Sequence, residues 1–143
     1  MPENLFFVNV EAAIYRDDTW LMIIRGSGVS HAANTLSMPG GTVEVSDSNQ
    51  NVLEEALRRE VREEVGVEID DLQYLESKHF VTDKGERVLD VVFLCQYDSG
   101  EATAASPEEV VDVAWMSIDE IRTHPKVPLW IIQSMEAAEK RRI

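Results

Sequence analysis

The sequence predicts a mixed α/β (α+β) fold in which strands and helices form stacked layers. Three observations support this prediction: the chain has 143 residues, pairs of apolar runs with turn residues between them recur, and two segments have amphipathic helical patterns. Because this length is sufficient for one hydrophobic core, we expect residues 1–143 to form a single domain. Hydrophobic residues make up 44% and charged residues 28%, which is typical of globular rather than disordered chains.

A β-hairpin and a long loop are predicted at the start of the chain. Residues 5–15 and 19–25 are apolar runs on either side of Arg16-Asp17-Asp18, which is typical of a hairpin. Residues 26–49 are rich in Gly, Ser, Asn and Thr, so we expect a loop with at most one short strand. Loops of this length in a compact domain are usually functional or mobile.

The middle of the chain is predicted to form a helix over residues 51–65. Asn51 or Ser48 is suited to the N-cap position, where a short polar side chain satisfies a free backbone N–H. Gly66 is a typical residue to end a helix, because it adopts left-handed backbone angles without steric cost.

A second hairpin and a further strand are predicted after this helix. Residues 72–82 and 87–97 are predicted strands, and Asp83-Lys84-Gly85-Glu86 is the turn between them. Residues 110–116 are predicted to form a short strand.

Two more helices are predicted at the end of the chain. Ser117-Ile118-Asp119-Glu120 has the spacing of a capping box, and residues 127–142 have an amphipathic pattern. Lys140-Arg141-Arg142 suits the negative end of the last helix. Strands combined with two or three helices predict a layered sandwich. The three tryptophans are predicted to pack in the core: Trp20, Trp115 and Trp130.

The charge of the chain limits its partners. There are 13 Lys and Arg residues against 27 Asp and Glu residues, which gives a formal net charge of −14. This disfavours binding to bulk nucleic acid or to an anionic membrane surface by phosphate neutralisation. An anionic small-molecule substrate is still compatible with this charge, because a bound divalent cation can invert the local sign.

Composition also bears on redox chemistry and location. Cys95 is the single cysteine, so neither an internal disulfide nor a zinc cluster of cysteines can form. The start, Met1-Pro2-Glu3-Asn4, has neither the basic nor the apolar region of a signal peptide. No apolar run approaches the roughly 18 residues of a membrane span. We therefore expect a cytoplasmic protein that does not contact membranes.

The helix predicted over residues 51–65 has an unusual acidic face. With about 100° of rotation per residue and Glu60 at zero, Leu57 falls at about 60° and Glu64 at about 40°. Glu63 falls at about 300° on the same scale. Three carboxylates are therefore predicted on the face that is apolar one turn earlier.

Two interpretations of this helix are open. In the first, its charged residues form a solvated face with i,i+4 pairs such as Glu54–Arg58. In the second, the carboxylates bind a divalent cation, because converging carboxylates repel one another and are costly to desolvate. Glutamate oxygens suit Mg²⁺ or Mn²⁺. Arg59, one turn before Glu63, could then orient that carboxylate.

The run from Arg59 to Val67 resembles a known family motif. Its sequence, Arg-Glu-Val-Arg-Glu-Glu-Val-Gly-Val, matches every fixed position of the second half of the Nudix (MutT-like) hydrolase box. Upstream, the run from Pro39 to Glu44 resembles the loop that leads into that box. The resemblance implies a Nudix-type α/β/α sandwich with a mixed central sheet.

The chain departs from the family pattern just before the helix. Asp47 stands where the family has Glu, and residues 48–51 resemble a four-residue insertion. In the family, that Glu helps to fix the loop against the helix. A less firmly held loop is therefore expected here.

The resemblance implies a metal-dependent hydrolase. Nudix enzymes cut a pyrophosphate bond in a nucleoside diphosphate linked to another group, generally with Mg²⁺ or Mn²⁺. By position, the implied metal ligands are Glu60, Glu63, Glu64 and the carbonyl of Gly40. Arg59 is implied to orient a metal-binding glutamate, and Glu63 also counts among the catalytic residues.

Three further residues are assigned to the site. Family members often add a late carboxylate from a loop as ligand or general base, and Glu109 is preferred over Glu108 for this role. The run Ser106-Pro107-Glu108-Glu109 also suits a helix start. Arg25 is assigned to phosphate binding, with a solvated strand end as the alternative, and Gly41 is assigned to substrate binding.

The substrate and the assembly state are less constrained. A nucleoside triphosphate and a nucleotide-sugar-like diphosphate both fit the resemblance, and the expected partner is a small-molecule nucleotide. A homodimer is kept as a hypothesis. The main functional hypothesis is a pyrophosphohydrolase. The alternatives are a catalytically silent Nudix-fold module that binds a nucleotide, and an acidic interaction domain with a coincidental motif.

Overall fold

A mixed β-sheet lies at the centre of the molecule. The computed structural model describes residues 3–29 and 32–142, so Met1 and Pro2, which contributed to the signal-peptide prediction, lie outside the described residues. Within the described ranges there are seven strands: β1 (Phe7–Arg16), β2 (Thr19–Arg25), β3 (Leu36–Ser37), β4 (Gly40–Thr42), β5 (Glu68–Val81), β6 (Arg87–Ser99) and β7 (Val110–Met116).

Helices cover both faces of this sheet. The described part of the chain forms α1 (Val52–Val65), α2 (Ile118–Arg122) and α3 (Leu129–Arg141). The side chains of β1 point to both faces of the sheet, and each face has its own core. Val10 packs in the core on the α1 side, and Ala13 packs in the core on the side of α2 and α3. The α/β/α sandwich expected from the sequence is confirmed.

The sheet contains both parallel and antiparallel strand pairs. Five strands follow the order β3-β2-β1-β6-β5, while β4 pairs with β1 and β7 pairs with β2. The pair β1–β6 is parallel, and the other pairs are antiparallel. Both predicted hairpins are present as β1–β2 and β5–β6. Strand β5 begins at Glu68, four residues before the predicted start, because its extra residues pair with the end of β6.

The expectation of at most one short strand between residues 26 and 49 is wrong, because two are present. Strands β1 and β2 pair only beside their turn, at Tyr15↔Trp20 and Arg16↔Thr19, and then diverge. The divergence leaves backbone N–H and C=O groups of both strands to be satisfied. Strand β3 pairs with β2 and β4 pairs with β1 at these edges. The divergence also creates the opening in which the candidate site lies.

The ends of the helices follow local sequence only in part. Asn51 occupies the N-cap position of α1, but its backbone is left-handed (φ 51°) and its side chain makes no capping hydrogen bond. Gly66 ends α1 as predicted, with φ 74° and its N–H donating to the carbonyl of Arg62. The capping box of α2 is confirmed, because the side chains of Ser117 and Glu120 each accept from the other residue's backbone N–H.

The prediction that all three tryptophans pack in the core is wrong for one of them. Trp20 is fully buried, and Trp115 is half-buried against the core on the α1 side. Trp130 is 45% exposed because it lies in the first turn of α3, beside a large cavity. In the part of the chain that the structure describes, no helix has the length and apolar character needed to cross a membrane.

Leu57 provides a test of the core between α1 and the sheet. This side chain is fully buried among residues of β1, β2 and β6, so Leu57→Ala leaves a cavity. We expect the free energy of unfolding to fall by about 2–5 kcal/mol. Leu129→Ala is the matched control, because Leu129 is 67% exposed and its truncation leaves no buried cavity. Urea unfolding of both variants measures the difference, and equal losses would contradict the described packing.

Candidate active site

A cavity of about 700 Å³ opens between the diverging strands β1 and β2. One side of it is acidic, and the side chains come from α1 and from the loop before β7. Another side consists of polar residues of β1 and β6, with aromatic side chains of β5 and α3 nearby. The cavity is in the size range of sites that bind nucleotides and other small molecules.

Three carboxylates converge on the acidic side. Glu60 and Glu64 lie one turn apart on the buried face of α1, and Glu109 reaches them from the loop before β7. One oxygen of each carboxylate lies within 4.8 Å of the others. The loop is held in place by backbone hydrogen bonds, since the carbonyl of Glu109 accepts from Gly26 at 2.7 Å. An oxygen-only group of this kind is suited to a hard divalent cation.

Burial makes the two helix carboxylates, Glu60 and Glu64, reluctant to ionise. Burial raises the pKa of Glu60 to about 7, and the charges of Glu63 and Glu109 add to the effect while Arg59 opposes it. Burial, and then the neighbouring Glu109, raise the pKa of Glu64 to about 8. The site therefore has the electrostatic stress that a cation would relieve.

Strand β4 packs directly against these glutamates. The backbone N–H of Gly40 donates to Glu64 Oε1 at 2.9 Å, which opposes the rise in the pKa of that carboxyl group. A Cβ atom at Gly41 would lie 2.2 Å from the carboxylate of Glu60. A side chain at position 41 would therefore displace the Glu60 carboxylate from its place beside β4.

Arg59 links the helix to the preceding loop. Its Nε and Nη2 donate to the two carboxylate oxygens of Asp47 at 2.7 and 3.0 Å. Its Nη1 donates to Glu60 at 2.9 Å and to Glu63 at 3.2 Å. Hydrogen bonds from Arg59, then from the backbone N–H of Glu44, hold the pKa of Asp47 below its ordinary value. Asp47 thus makes a two-point contact between the loop and the helix, although it is shorter than the Glu of the family pattern.

Glu63 does not join the carboxylate group formed by the other three. Its side chain is 58% exposed at the rim of the cavity and accepts a hydrogen bond from Arg59. The expectation that it would share the buried face is wrong for a geometric reason. The buried residues of α1 centre on about 50° in the rotation scale above, so Glu63, at about 300°, lies beyond the edge of that face.

The remaining predicted residues lie in or beside the cavity. Arg25, at the end of β2, lines it. Glu108 is exposed, and among the described residues its side chain is absent from the cavity wall. Its backbone carbonyl instead accepts from Gly28 at 3.0 Å. The structure thus brings Glu109, rather than Glu108, together with the helix glutamates.

Sequence reasoning missed the polar side of the cavity. Asn9, Glu11 and Asp90 line it on the sheet face that α3 covers, with Phe80 and Trp130 beside them. Burial, and then the charge of Asp90, raise the pKa of Glu11 well above its ordinary value. The sequence did contain a signal for this wall, since Asn9, Glu11 and Asp90 are polar residues within otherwise apolar strands.

A comparison with family models identifies the chain. The NUDIX domain model matches residues 5–136. The chain belongs to the Nudix hydrolase family. The box at residues 59–67 and the loop at residues 39–44 therefore form the acidic side of the cavity in a Nudix fold.

Known relatives agree with this assignment. An NAD-capped RNA hydrolase from Salmonella paratyphi C is 32% identical over 113 residues, which are 79% of this chain and 40% of the relative. The chain thus spans less than half the length of that relative. The crystal structure of a MutT NUDIX hydrolase from Burkholderia pseudomallei is 25% identical and has a TM-score of 0.78, covering 94% of this chain and 98% of its own.

A further solved structure supports the fold alone. It is the NUDIX domain of Shewanella oneidensis NrtR in complex with ADP ribose, with 18% identity and a TM-score of 0.79. The alignment covers 98% of this Nudix chain and 90% of that one.

The contact between Arg59 and Asp47 can be tested by a double-mutant cycle. Because Asp47 is nearly buried and the contact is two-pronged, we expect Arg59→Ala and Asp47→Ala to be coupled by about 1–2 kcal/mol in stability. The matched control is the pair Arg62 and Glu68, which has the same two-pronged geometry but is exposed. Its coupling should be below about 1 kcal/mol. Equal coupling in the two cycles would contradict the anchoring role of Asp47.

Proposed function

We propose that this Nudix protein hydrolyses a pyrophosphate bond in a nucleoside diphosphate linked to another group, with the help of Mg²⁺ or Mn²⁺. The observation that carries the proposal is the convergence of Glu60, Glu64 and Glu109 within 4.8 Å at one side of the cavity. This arrangement provides a cation site beside a space large enough for a nucleotide.

The donor set fits a divalent cation. Glu60, Glu64 and Glu109 would hold it, and the backbone carbonyl of Gly40 is kept as a further proposed ligand. When bound, the cation would offset phosphate charge and lower the pKa of the attacking water. The raised pKa values of Glu60 and Glu64 support this assignment, since they reflect buried carboxylates and the repulsion of neighbouring glutamates, which a cation would offset.

Other residues of the chain would orient the reacting groups. Arg59 donates to Glu60 and so fixes that carboxylate relative to β4. Glu63 at the rim and Glu109 on the loop are the two candidates for accepting the proton of the attacking water. Arg25 is proposed to contact the substrate phosphates from the end of β2, where it lines the cavity. Gly41 lets the backbone of β4 approach the same region.

The relatives guide the choice of substrates to test. The Salmonella relative is named for NAD-capped RNA, and the NrtR domain was solved with ADP ribose. Both ligands contain a nucleoside diphosphate linked to a second group. A suitable panel therefore contains NAD, ADP-ribose, nucleotide sugars and nucleoside triphosphates. The single domain over residues 1–143, the cytoplasmic location and the homodimer stay predictions.

Removing one ligand carboxylate tests the proposed activity. Glu64→Gln keeps the shape of the side chain but removes its charge, so we expect kcat/KM on the best substrate to fall by about 100-fold or more. Glu55→Gln is the matched control on the same helix, because Glu55 is exposed and lies outside the cavity wall. Phosphate or nucleotide release with Mg²⁺ or Mn²⁺ measures both variants. Absence of turnover on the whole panel would favour the silent binding module instead.

The pH dependence of metal binding gives a second test. Without metal, the folded state holds protons on Glu60 and Glu64 up to about pH 7 and 8, which the unfolded chain releases near 4.5. The free energy of unfolding should therefore fall as pH rises through this window, because the folded state binds more protons.

A cation needs the ionised carboxylates, so its stabilising effect should grow over the same window. We expect Mg²⁺ to raise the unfolding temperature more at about pH 8.5 than at about pH 6, relative to EDTA. Differential scanning calorimetry measures both values. An equal shift at the two pH values would contradict the assignment of Glu60 and Glu64 as ligands.

A further inference from the structure

A second polar group lies in the cavity, on the face of the sheet that α3 covers. It contains Asn9 and Glu11 of β1 and Asp90 of β6, and Asn9 lies directly opposite Asp90 in the parallel register. Their neighbours in sequence, such as Val10 and Val91, point to the core on the α1 side. Strand alternation therefore directs these polar side chains into the cavity.

Asp90 has hydrogen-bonding capacity that the protein does not use. The residue is fully buried, and its Oδ1 accepts from Asn9 Nδ2 at 2.8 Å. Within residues 3–29 and 32–142, its Oδ2 has no hydrogen-bond partner. A buried acceptor without a partner costs free energy, so a donor on a ligand would be bound favourably there.

The surrounding side chains strengthen this acceptor character. The carboxyl group of Glu11 lies within hydrogen-bonding reach of Asp90, and Ser37 Oγ donates to Glu11 Oε2 at 3.4 Å. Lys78 lies opposite Asp90 in the β5–β6 register, but its Nζ donates to Glu76 and to Ser134 of α3. Asp90 Oδ2 thus stays an acceptor that neither the Asn9 amide nor the Lys78 ammonium group fills.

Two aromatic side chains line the same cavity. Phe80 of β5 is half-buried there, and Trp130 at the start of α3 is 45% exposed. Aromatic faces favour a flat ring, and the acceptor pair favours N–H groups at the edge of that ring. An amino-bearing nucleobase combines these two properties, whereas a ribose offers hydroxyl groups without a flat ring.

We propose that Asp90, assisted by Glu11, is a specificity-determining residue that accepts a hydrogen bond from the amino group of a nucleobase. This inference rests on the proposed function only in taking the ligand to be a nucleotide. It assigns to the chain a preference for amino-bearing bases over bases with a carbonyl oxygen at the same position. A carbonyl oxygen would face the acceptors without a shared proton, and the buried group would stay unsatisfied.

Matched nucleotides test this preference directly. Adenosine and inosine monophosphates differ by an amino group replaced by a carbonyl oxygen, as do cytidine and uridine monophosphates. Calorimetric titration in EDTA measures their dissociation constants without hydrolysis. We expect at least one amino-bearing nucleotide to bind about tenfold more tightly than its partner.

Variants identify the residue responsible. Asp90→Asn places an N–H donor at the same position, so the preference should disappear or reverse. Glu11→Gln should weaken it by a smaller factor. Asp98→Asn is the matched control, because Asp98 lies on the same strand but is exposed and outside the cavity wall. Thermal unfolding shows whether each variant is folded.

Several outcomes would overturn the proposal. These are equal affinity of the wild-type protein for both members of each pair, an unchanged preference in folded Asp90→Asn, and no binding of any nucleotide at millimolar concentration. Binding of ribose 5-phosphate as tight as that of adenosine monophosphate would show that the sugar is recognised instead. Because the titrations contain no metal, a base preference can be measured even if the protein hydrolyses none of the substrates. Conversely, turnover of a substrate without any base preference would contradict this inference and leave the proposed function intact.

Discussion

The burial of two glutamates on α1 is the constraint on which the rest of the site depends. Glu60 and Glu64 occupy positions that an apolar residue would normally fill, and they lie against the glycine strand β4. Burial is costly for a charged group, so the structure supplies the amide of Gly40, the guanidinium of Arg59 and the close approach that Gly41 allows. These compensations are partial, because the pKa values of both glutamates stay raised. That remaining imbalance supports the proposed cation site.

The contact between Arg59 and Asp47 connects this helix to the loop before it. A carboxylate one methylene shorter than the Glu of the family pattern still reaches the arginine with both oxygens. The additional residues 48–51 occupy the bend before α1, where Asn51 adopts left-handed backbone angles that asparagine tolerates. The departure from the motif therefore lies in the connection to the helix, and Glu60 and Glu64 still converge with Glu109.

Strand β1 is shared by the two sides of the cavity. Next to its turn it pairs with β2, and further back it pairs with β4, so the gap between β1 and β2 becomes the entrance. Val10 and Ala12 support α1 from one face, whereas Asn9 and Glu11 line the cavity from the other. The same strand thus supports the helix that carries the acidic group and provides the polar wall beyond it. The carboxylates that repel one another and the residues proposed to recognise a base thus lie beside opposite faces of one strand.

Local sequence was sufficient for the elements whose signals lie within a few residues. The hairpins, the capping box at Ser117, the end of α1 at Gly66 and the resemblance to the Nudix box were all predictable, because each depends on short-range hydrogen bonds or side-chain spacing. Strands β3 and β4 were not, since two or three residues become a strand only when a diverging partner leaves backbone groups to satisfy. Helical spacing placed Glu63 near the buried face of α1. It could not fix which edge of the helix contacts the sheet, because that depends on tertiary packing. The meeting of Glu109 with Glu60, and of Glu11 with Asp90, joins residues far apart in the chain, so it depends on the long-range register and packing of the folded sheet.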